Sequence, residues 1–318
     1  MAYSVLLLGA TSRVGRKTLE ELAQHRRHFS RVAFLLSPPD TASEKQIENG
    51  PTIVERVFGN PSDLDSYKGF QIVVSTVEDD VCTKQTEYAE AAFAGGVKHL
   101  YSAEYGPDLN HPAVKDELYF AGKIAVRKYI EERMQADASL GFTCLMTGAL
   151  SDFLLESNIL GLSEDQRSVV YLGNPDARVS VTHSDDVAKL IVASLLPHHL
   201  SELNLRRYLC FAASTLPSLS LFDAISYVLR HPIDVTYEDT LYASSSSYRN
   251  EEQQKAPLGS DIQQSFRRSV GFGGFELKEQ DIANSGAKFR HEVKAKTWTQ
   301  VVHEFFTSAD RQTALVKP

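Results

Sequence analysis

The sequence predicts an α/β protein built on a doubly wound parallel sheet. Two observations carry that prediction. Apolar runs of strand length recur through the first half of the chain, each followed by a stretch with helical spacing. The first run, Val5-Leu6-Leu7-Leu8, ends in a turn at Gly9 from which a helical pattern starts at once. Alternation at this spacing makes βαβ units, whose right-handed crossovers put helices on both faces of the sheet.

Val5–Leu8 reads as a buried strand, because an unbroken apolar run suits a strand covered on both faces. Val14, Thr18 and Leu22, with Leu19 and Ala23, form the apolar stripe of the first helix. Val32–Leu36 is the second strand, stopped by Ser37-Pro38-Pro39. Thr52–Phe58 is the third, ending at Gly59-Asn60-Pro61. Ile72–Val77 is the fourth, followed by a helix through Tyr88, Ala91, Ala92 and Phe93. Val97–Ser102 is the fifth, and Phe142–Thr147 the sixth, after a long helical stretch around Asp116–Gln135. In the second half, Val179–His183 and a helix over Val187–Leu196 read as a return to the sheet, and Leu219–Val228 as another helix. Ala243–Asp261 is rich in Ser, Gln and Glu without apolar period, and reads as a mobile loop or lid. Gly271-Phe272-Gly273-Gly274-Phe275 breaks periodicity again, as a ligand cover or as core anchors around a bend.

Composition excludes several classes. The 318 residues, 42% hydrophobic and 23% charged, suit a soluble enzyme of one large domain or two modest ones. A net charge of −8 argues against nucleic acid as a partner. Cys82, Cys144 and Cys210 are far apart and lack metal spacing, which points to small core residues in a reducing compartment. The chain enters its first strand without a leader-like segment, and no apolar run has the length of a membrane span. A cytoplasmic protein is expected.

The opening turn suits a dinucleotide. Gly9 and Gly15 stand where a tight turn and close helix–strand packing need them, and the backbone at Ser12, Arg13 and Val14 begins the helix. Ser12 sits where the chain approaches a diphosphate; Arg13 and Arg16 add positive charge. After the second strand there is Ser37 and no acid before Asp40. An acid there would bind a ribose 2′-hydroxyl, whereas a hydroxyl with Arg13 suits a 2′-phosphate, so NADP(H) is expected over NAD(H). Asn60 is suited to the adenine edge, and Thr76 and Val77 to the nicotinamide side.

Tyr119-Phe120-Ala121-Gly122-Lys123 is the only Tyr-x-x-x-Lys in the chain. Four-residue spacing puts both side chains on one helix face. There the lysine can lower the phenol pKa and hold a ribose while the tyrosine protonates a carbonyl oxygen. Its location between the fifth and sixth strands carries more weight than its spacing. Ser102, ending the fifth strand, either polarises the same oxygen or is a plain strand-end hydroxyl.

Several segments together resemble the isoflavone-reductase-like, NmrA-like branch of the atypical short-chain dehydrogenases. GATSRVG, Gly9–Gly15, resembles the family's G-x-T-G-x-x-G. AAFAGGVKHLYSAEYGPD, Ala91–Asp108, is similar to its A-G-V-K-R-F-x-P-S-E-F-G-x-D signature. KIAVRKYIEE from Lys123 resembles the helix carrying the active-site lysine, and Phe142–Glu156 and VSVTHSDDVAKLIVASL resemble later segments. The resemblance implies a Rossmann cofactor domain over 1–150, its sheet completed by about 176–205, and a smaller substrate-binding domain within 151–318. It implies NADPH, Lys123 as active-site lysine, Gly9, Thr11, Arg13 and Gly15 at the diphosphate, and Glu104 and Tyr105 lining the pocket. Ser12 replaces a glycine of the pattern, Ser37 a frequent 2′-phosphate arginine, and Ala103 the signature serine.

The function expected is reduction of a carbonyl or conjugated double bond in an aromatic or polyketide-type small molecule of secondary metabolism. Tyr119 would donate the proton, with Lys123 behind it. The alternatives are a non-catalytic dinucleotide-binding regulator and a non-redox isomerase or cyclase. No metal is expected: Asp185 and Asp186 after His183 suit a helix N-terminus, and His198 and His199 a helix end. Asp152 and Glu156 share a helix face, either solvated or touching substrate.

Overall fold

In the computed structural model, which describes residues 2–36, 53–238 and 258–308, strand β1 (Ser4–Leu8) is buried along its whole length. Val5 and Leu7 join one core cluster and Leu6 and Leu8 another, as the two-residue period of a doubly covered strand requires. Helix α1 (Arg13–Gln24) follows, then β2 (Arg31–Leu36), β3 (Glu55–Phe58), β4 (Ile72–Ser75), α2 (Gln85–Ala94), β5 (His99–Tyr101), α3 (Ala121–Ala136) and β6 (Gly141–Met146). Next come β7 (Ala149–Leu150), α4 (Ser151–Glu156), β8 (Ser168–Leu172), β9 (Arg178–Thr182), α5 (Ser184–Leu195), β10 (Arg206–Cys210), β11 (Ser214–Pro217), α6 (Ser218–Leu229) and β12 (Asp234–Glu238). Helices α7 (Leu258–Gly271) and α8 (Trp298–Thr307) follow.

The main sheet has seven parallel strands in the order β10-β6-β5-β4-β1-β2-β3. Strand order reverses between β1 and β4, and ligands of such sheets bind at that switch point, beyond the strand C-termini. Helices α1 and α5 supply one covering layer through Leu19, Leu22, Val187, Leu190 and Ile191. The opposite layer is α2 and α3, through Ala92, Phe93, Val126 and Ile130. A further core gathers Leu154, Tyr171, Phe222, Phe266, Phe275 and Trp298 from the second half of the chain.

Several expectations change. The strand expected at 179–183 forms over Arg178–Thr182, with His183 capping the next helix, but β9 pairs with β7 and β11 in a separate three-stranded sheet. The seventh strand of the main sheet is β10, beyond the 176–205 segment expected to complete it. Its sequence Arg206-Arg207-Tyr208-Leu209-Cys210 is buried only at its last two residues, as an edge strand allows, so no apolar run announces it. The third, fourth and fifth strands are shorter than their apolar runs, and the long helix starts at Ala121, not Asp116. Of the expected loop 243–261, residues 243–257 lie outside the described residues, and helix α7 begins at Leu258.

Candidate functional site

Two glycines make the floor of the site. Gly9 has φ +76°, and a Cβ there would stand 2.7 Å from the Thr76 carbonyl and the Val77 nitrogen. A Cβ on Gly15 would stand 1.9 Å from the Gly9 carbonyl oxygen. Thr76 locks the turn from β4, its hydroxyl donating to Leu8 O at 2.7 Å and reaching Gly9 O at 3.1 Å. Ser12 caps α1: its Oγ accepts from Gly15 N at 2.9 Å. The side chain thereby folds back onto the helix, and Ser12 occupies a glycine position without filling the space above it. The first-turn amides of Arg13 and Val14 have no intrahelical acceptor, and both residues line a cavity of about 840 Å³. This cradle fits a dinucleotide diphosphate.

The same cavity continues past the ends of β4 and β5, where Thr76, Val77, Asp79, Ala103, Glu104 and Lys123 line it. Lys123 is almost buried, its side chain 11% exposed. Its Nζ lies 2.9 Å from Asp79 Oδ1 and donates to the Glu104 carbonyl at 3.2 Å. The Tyr119 hydroxyl donates to the other oxygen of Asp79, and Lys123 Nζ stands 5.6 Å from the Tyr119 ring centroid. Burial works to raise the Asp79 pKa. The Lys123 charge and the hydrogen bonds from Tyr119 and Lys123 outweigh it and hold the carboxyl below its usual range. Asp79 is therefore an anion bridging the two groups of the Tyr-x-x-x-Lys pair. Tyr119 itself lies in a 3-10 turn, Leu118–Phe120, immediately before α3.

The loop after β5 is held tightly. Arg127 of α3 donates to both oxygens of the Glu104 carboxylate, Nε at 3.2 Å, and both side chains are buried. Cys144 donates to the same carboxylate at 3.3 Å; burial, followed by the Glu104 charge, pushes that thiol well above its ordinary pKa. Tyr105 has φ +33°, a costly conformation for an aromatic residue, and its hydroxyl donates to Ser75 O at 2.8 Å. This anchoring fixes the backbone carbonyl that receives Lys123.

On the opposite wall, Arg13 Nη1 meets Asp152 Oδ2 at 3.1 Å and Glu156 Oε2 at 2.5 Å. Asp152 also accepts from Ser184 N at 3.2 Å and Ser184 Oγ at 2.6 Å at the start of α5. Tyr119, Phe120, Phe153, Phe266 and Phe275 make the cavity's aromatic wall. Phe266 packs against Phe153, Phe275 and Tyr119, with centroids 5.6, 5.2 and 4.7 Å away.

Of the residues singled out in the sequence, Ser12, Arg13, Val14, Thr76, Val77, Glu104, Tyr105, Tyr119 and Lys123 come together around this cavity. Gly9 and Gly15 lie beneath it. Thr11 is not among its lining residues, and neither is Asn60, whose Oδ1 accepts from Ser62 N in its own turn. Ser37 lies outside the described residues. Ser102 does not line the cavity; its Oγ is buried with no hydrogen-bond partner among the described residues. His183 caps α5, its Nδ1 accepting from Asp185 N at 3.1 Å. Sequence reasoning missed Asp79, Arg127, Phe153 and Phe266. Asp79 had one usable signal, an acidic run directly after a strand on the ligand-binding edge. Among the described residues no helix is long and apolar enough to cross a membrane.

The sequence model of the NmrA-like family matches residues 1–238. The chain is 26% identical over 206 residues to the NmrA-like family domain-containing oxidoreductase of Gibberella moniliformis, covering 60% of this chain and 66% of that protein. It thus spans just under two thirds of that relative's length. Among solved structures, isoflavone reductase superposes with a TM-score of 0.77 at 18% identity, covering 96% of this chain and 100% of the other. AtPrR2, solved with NADP+ and (+)-pinoresinol, gives 0.74 at 17% identity, covering 96% and 99%. At these identities the likeness is one of fold.

Proposed function

The chain belongs to the NmrA-like family, and from that premise we propose that it is an NADP(H)-dependent reductase of aromatic carbonyl or conjugated compounds. The observation that carries the reading is Lys123, an ammonium held inside the cavity next to the glycine cradle. The oxidoreductase name of the relative and the NADP+ bound to AtPrR2 support it, as does the absence of an acid between Leu36 and Asp40.

When bound, NADPH supplies the hydride. The amides of Arg13 and Val14 and the α1 dipole would hold its diphosphate. Lys123 donates a proton to the substrate oxygen as that oxygen gains charge, and is reprotonated from solvent, so one proton and one hydride are consumed per carbonyl reduced. Sequence alone favours Tyr119 as donor. Here the one phenolic proton lies on Asp79, so we assign the acid to Lys123 and give Tyr119 and Asp79 the task of orienting it. Tyr119, Phe153, Phe266 and Phe275 suit a flat aromatic substrate through stacking and edge contacts. Secondary metabolism is the setting that suits such a substrate, and is part of the proposal.

Titration with NADPH and NADH by fluorescence, then NADPH oxidation against a panel of aromatic ketones and enones, tests the reading. NADPH should bind more tightly than NADH. Lys123→Met should lower kcat about 10²- to 10⁴-fold and Tyr119→Phe by less. If neither nucleotide binds below about 1 mM, the reductase reading is lost. Tight NADPH binding with no turnover across the panel would favour the regulator.

A further inference from the structure

The N-terminal end of α5 lines the cavity; past its other end, two histidines and a carboxylate converge. His199 Nε2 lies 2.7 Å from Glu292 Oε1, and His198 Nε2 lies 3.6 Å from the same oxygen. All three ligand atoms lie within 4.8 Å of one another, and the imidazole centroids are 4.2 Å apart. A hydrogen bond to Glu292 accounts for His199 alone. The adjacent, exposed His198 reaches the same carboxylate oxygen only at ion-pair distance, so one oxygen faces both ring nitrogens.

The geometry points to a binding site for a divalent first-row cation, best suited to Zn²⁺, formed by His198, His199 and Glu292. Two imidazole nitrogens and one carboxylate oxygen are ligands this ion accepts, and solvent would complete a tetrahedron. Bonds of about 2.0–2.2 Å put the ligand atoms of such a site roughly 3.3 Å apart. The two histidine–Glu292 separations, 2.7 and 3.6 Å, bracket that spacing, and the two histidine ligand atoms lie within 4.8 Å of each other. His199 is already fixed: its carbonyl accepts from Arg207 Nη1 at 2.7 Å, its ring packs 4.6 Å from that of Phe289, and only 11% of its side chain is exposed. His198, 61% exposed, can make the remaining adjustment.

Two cations lie nearby. Arg207 spends its guanidinium on Tyr101, Thr143 and backbone carbonyls, and Lys288 stands over the Phe289 ring. Among the described contacts neither pairs with Glu292, and their charge opposes a bound cation and weakens its affinity. A bound ion would tie the short helix Arg290–Val293 to the segment following α5. The site is remote from Lys123 in function, so it stands or falls independently of the reductase reading.

The test uses the full chain, stripped with a chelator and desalted, with Co²⁺ as the spectroscopic probe and Zn²⁺ as competitor. Co²⁺ should develop visible absorption that saturates at about one equivalent, as a single nitrogen–oxygen site requires. Zn²⁺ should abolish that absorption and raise the melting temperature. His198→Ala, at an exposed position, should melt like the metal-free wild type and lose both the absorption and the Zn²⁺ shift. Co²⁺ absorption that never saturates, or that survives intact in His198→Ala, overturns the assignment and leaves only the His199–Glu292 hydrogen bond.

Discussion

Arg13 Nη1 lies 2.5 Å from Glu156 Oε2, so the cation expected to serve the cofactor diphosphate is held by an acid from the opposite wall. Asp152 shares it, but Asp152 is also bound to Ser184, whereas Glu156 is 49% exposed and bonded only to Arg13 among the described residues. Glu156 therefore competes with a phosphate for the guanidinium.

Glu156→Gln should tighten NADPH binding by up to about five-fold, since an exposed ion pair of this type is worth roughly 0.2–1 kcal/mol. Fluorescence titration of the free enzyme measures it. An unchanged or weaker affinity would mean Arg13 never exchanges partners. Asp152→Asn should instead lower the melting temperature by loosening the start of α5.

The Asp79–Lys123 pair leads to a pH prediction. Because Asp79 is held below the usual carboxylate range, it stays anionic through neutral pH. The contact is lost only as pH falls below that range. Asp79→Asn removes the anion beside Lys123 and favours the neutral amine. The basic limb of the kcat/KM profile should then move down by about one pH unit. A profile that drops in height without moving would show that Asp79 acts on shape and not on charge.

How much of this was legible depends on how local the cause is. The Gly9 turn, the α1 stripe and the two-faced β1 come from neighbouring residues, and the sequence displays them. Strand β9 was legible as a strand but not as a member of the smaller sheet, because a two-residue period says nothing about which strand it pairs with. Strand β10 hid behind Arg206 and Arg207, which an edge position tolerates. Lys123 was found through its motif. Asp79 and Arg127 acquire their roles from partners 44 and 23 positions away, Lys123 and Glu104 respectively, and no window contains both ends. Ser102 misled for the opposite reason: it directly follows the right strand, yet the cavity is lined by Ala103 and Glu104 beyond it.

The buried Glu104–Arg127 pair holds the loop that receives Lys123. Glu104→Gln would leave the buried Arg127 guanidinium only the half-exposed Asp108, 3.6 Å from its Nη1, as an anionic partner; breaking a buried pair in this way typically costs about 3–5 kcal/mol. Denaturant unfolding should show that loss. The double variant Glu104→Leu/Arg127→Met should recover most of it, because the one charge left unpaired, Asp108, is half-exposed to solvent. A double variant no more stable than the single one would mean that the polar network, not the balance of charge, holds the loop.

His99 gives the chain an acid-sensitive element away from the cavity. Its Nδ1 donates to Leu203 O at 2.7 Å and its Nε2 accepts from Thr143 Oγ1 at 2.8 Å, joining β5 to β6 and to the segment before β10. Burial, with a smaller contribution from the Arg207 charge, pushes its pKa down to about 3 against the opposing effect of the Leu203 hydrogen bond. In the unfolded chain the ring takes up a proton near pH 6.5. Between those values the unfolded state binds the extra proton, so this contribution is complete above about pH 6.5 and drains away as pH falls, by up to about 1.4 kcal/mol per unit. His99→Gln, less stable at neutral pH, should show a shallower decline than the wild type between about pH 6.5 and 4.5. Denaturant midpoints measured across that range decide the matter; parallel slopes in the two proteins would mean that His99 titrates alike folded and unfolded.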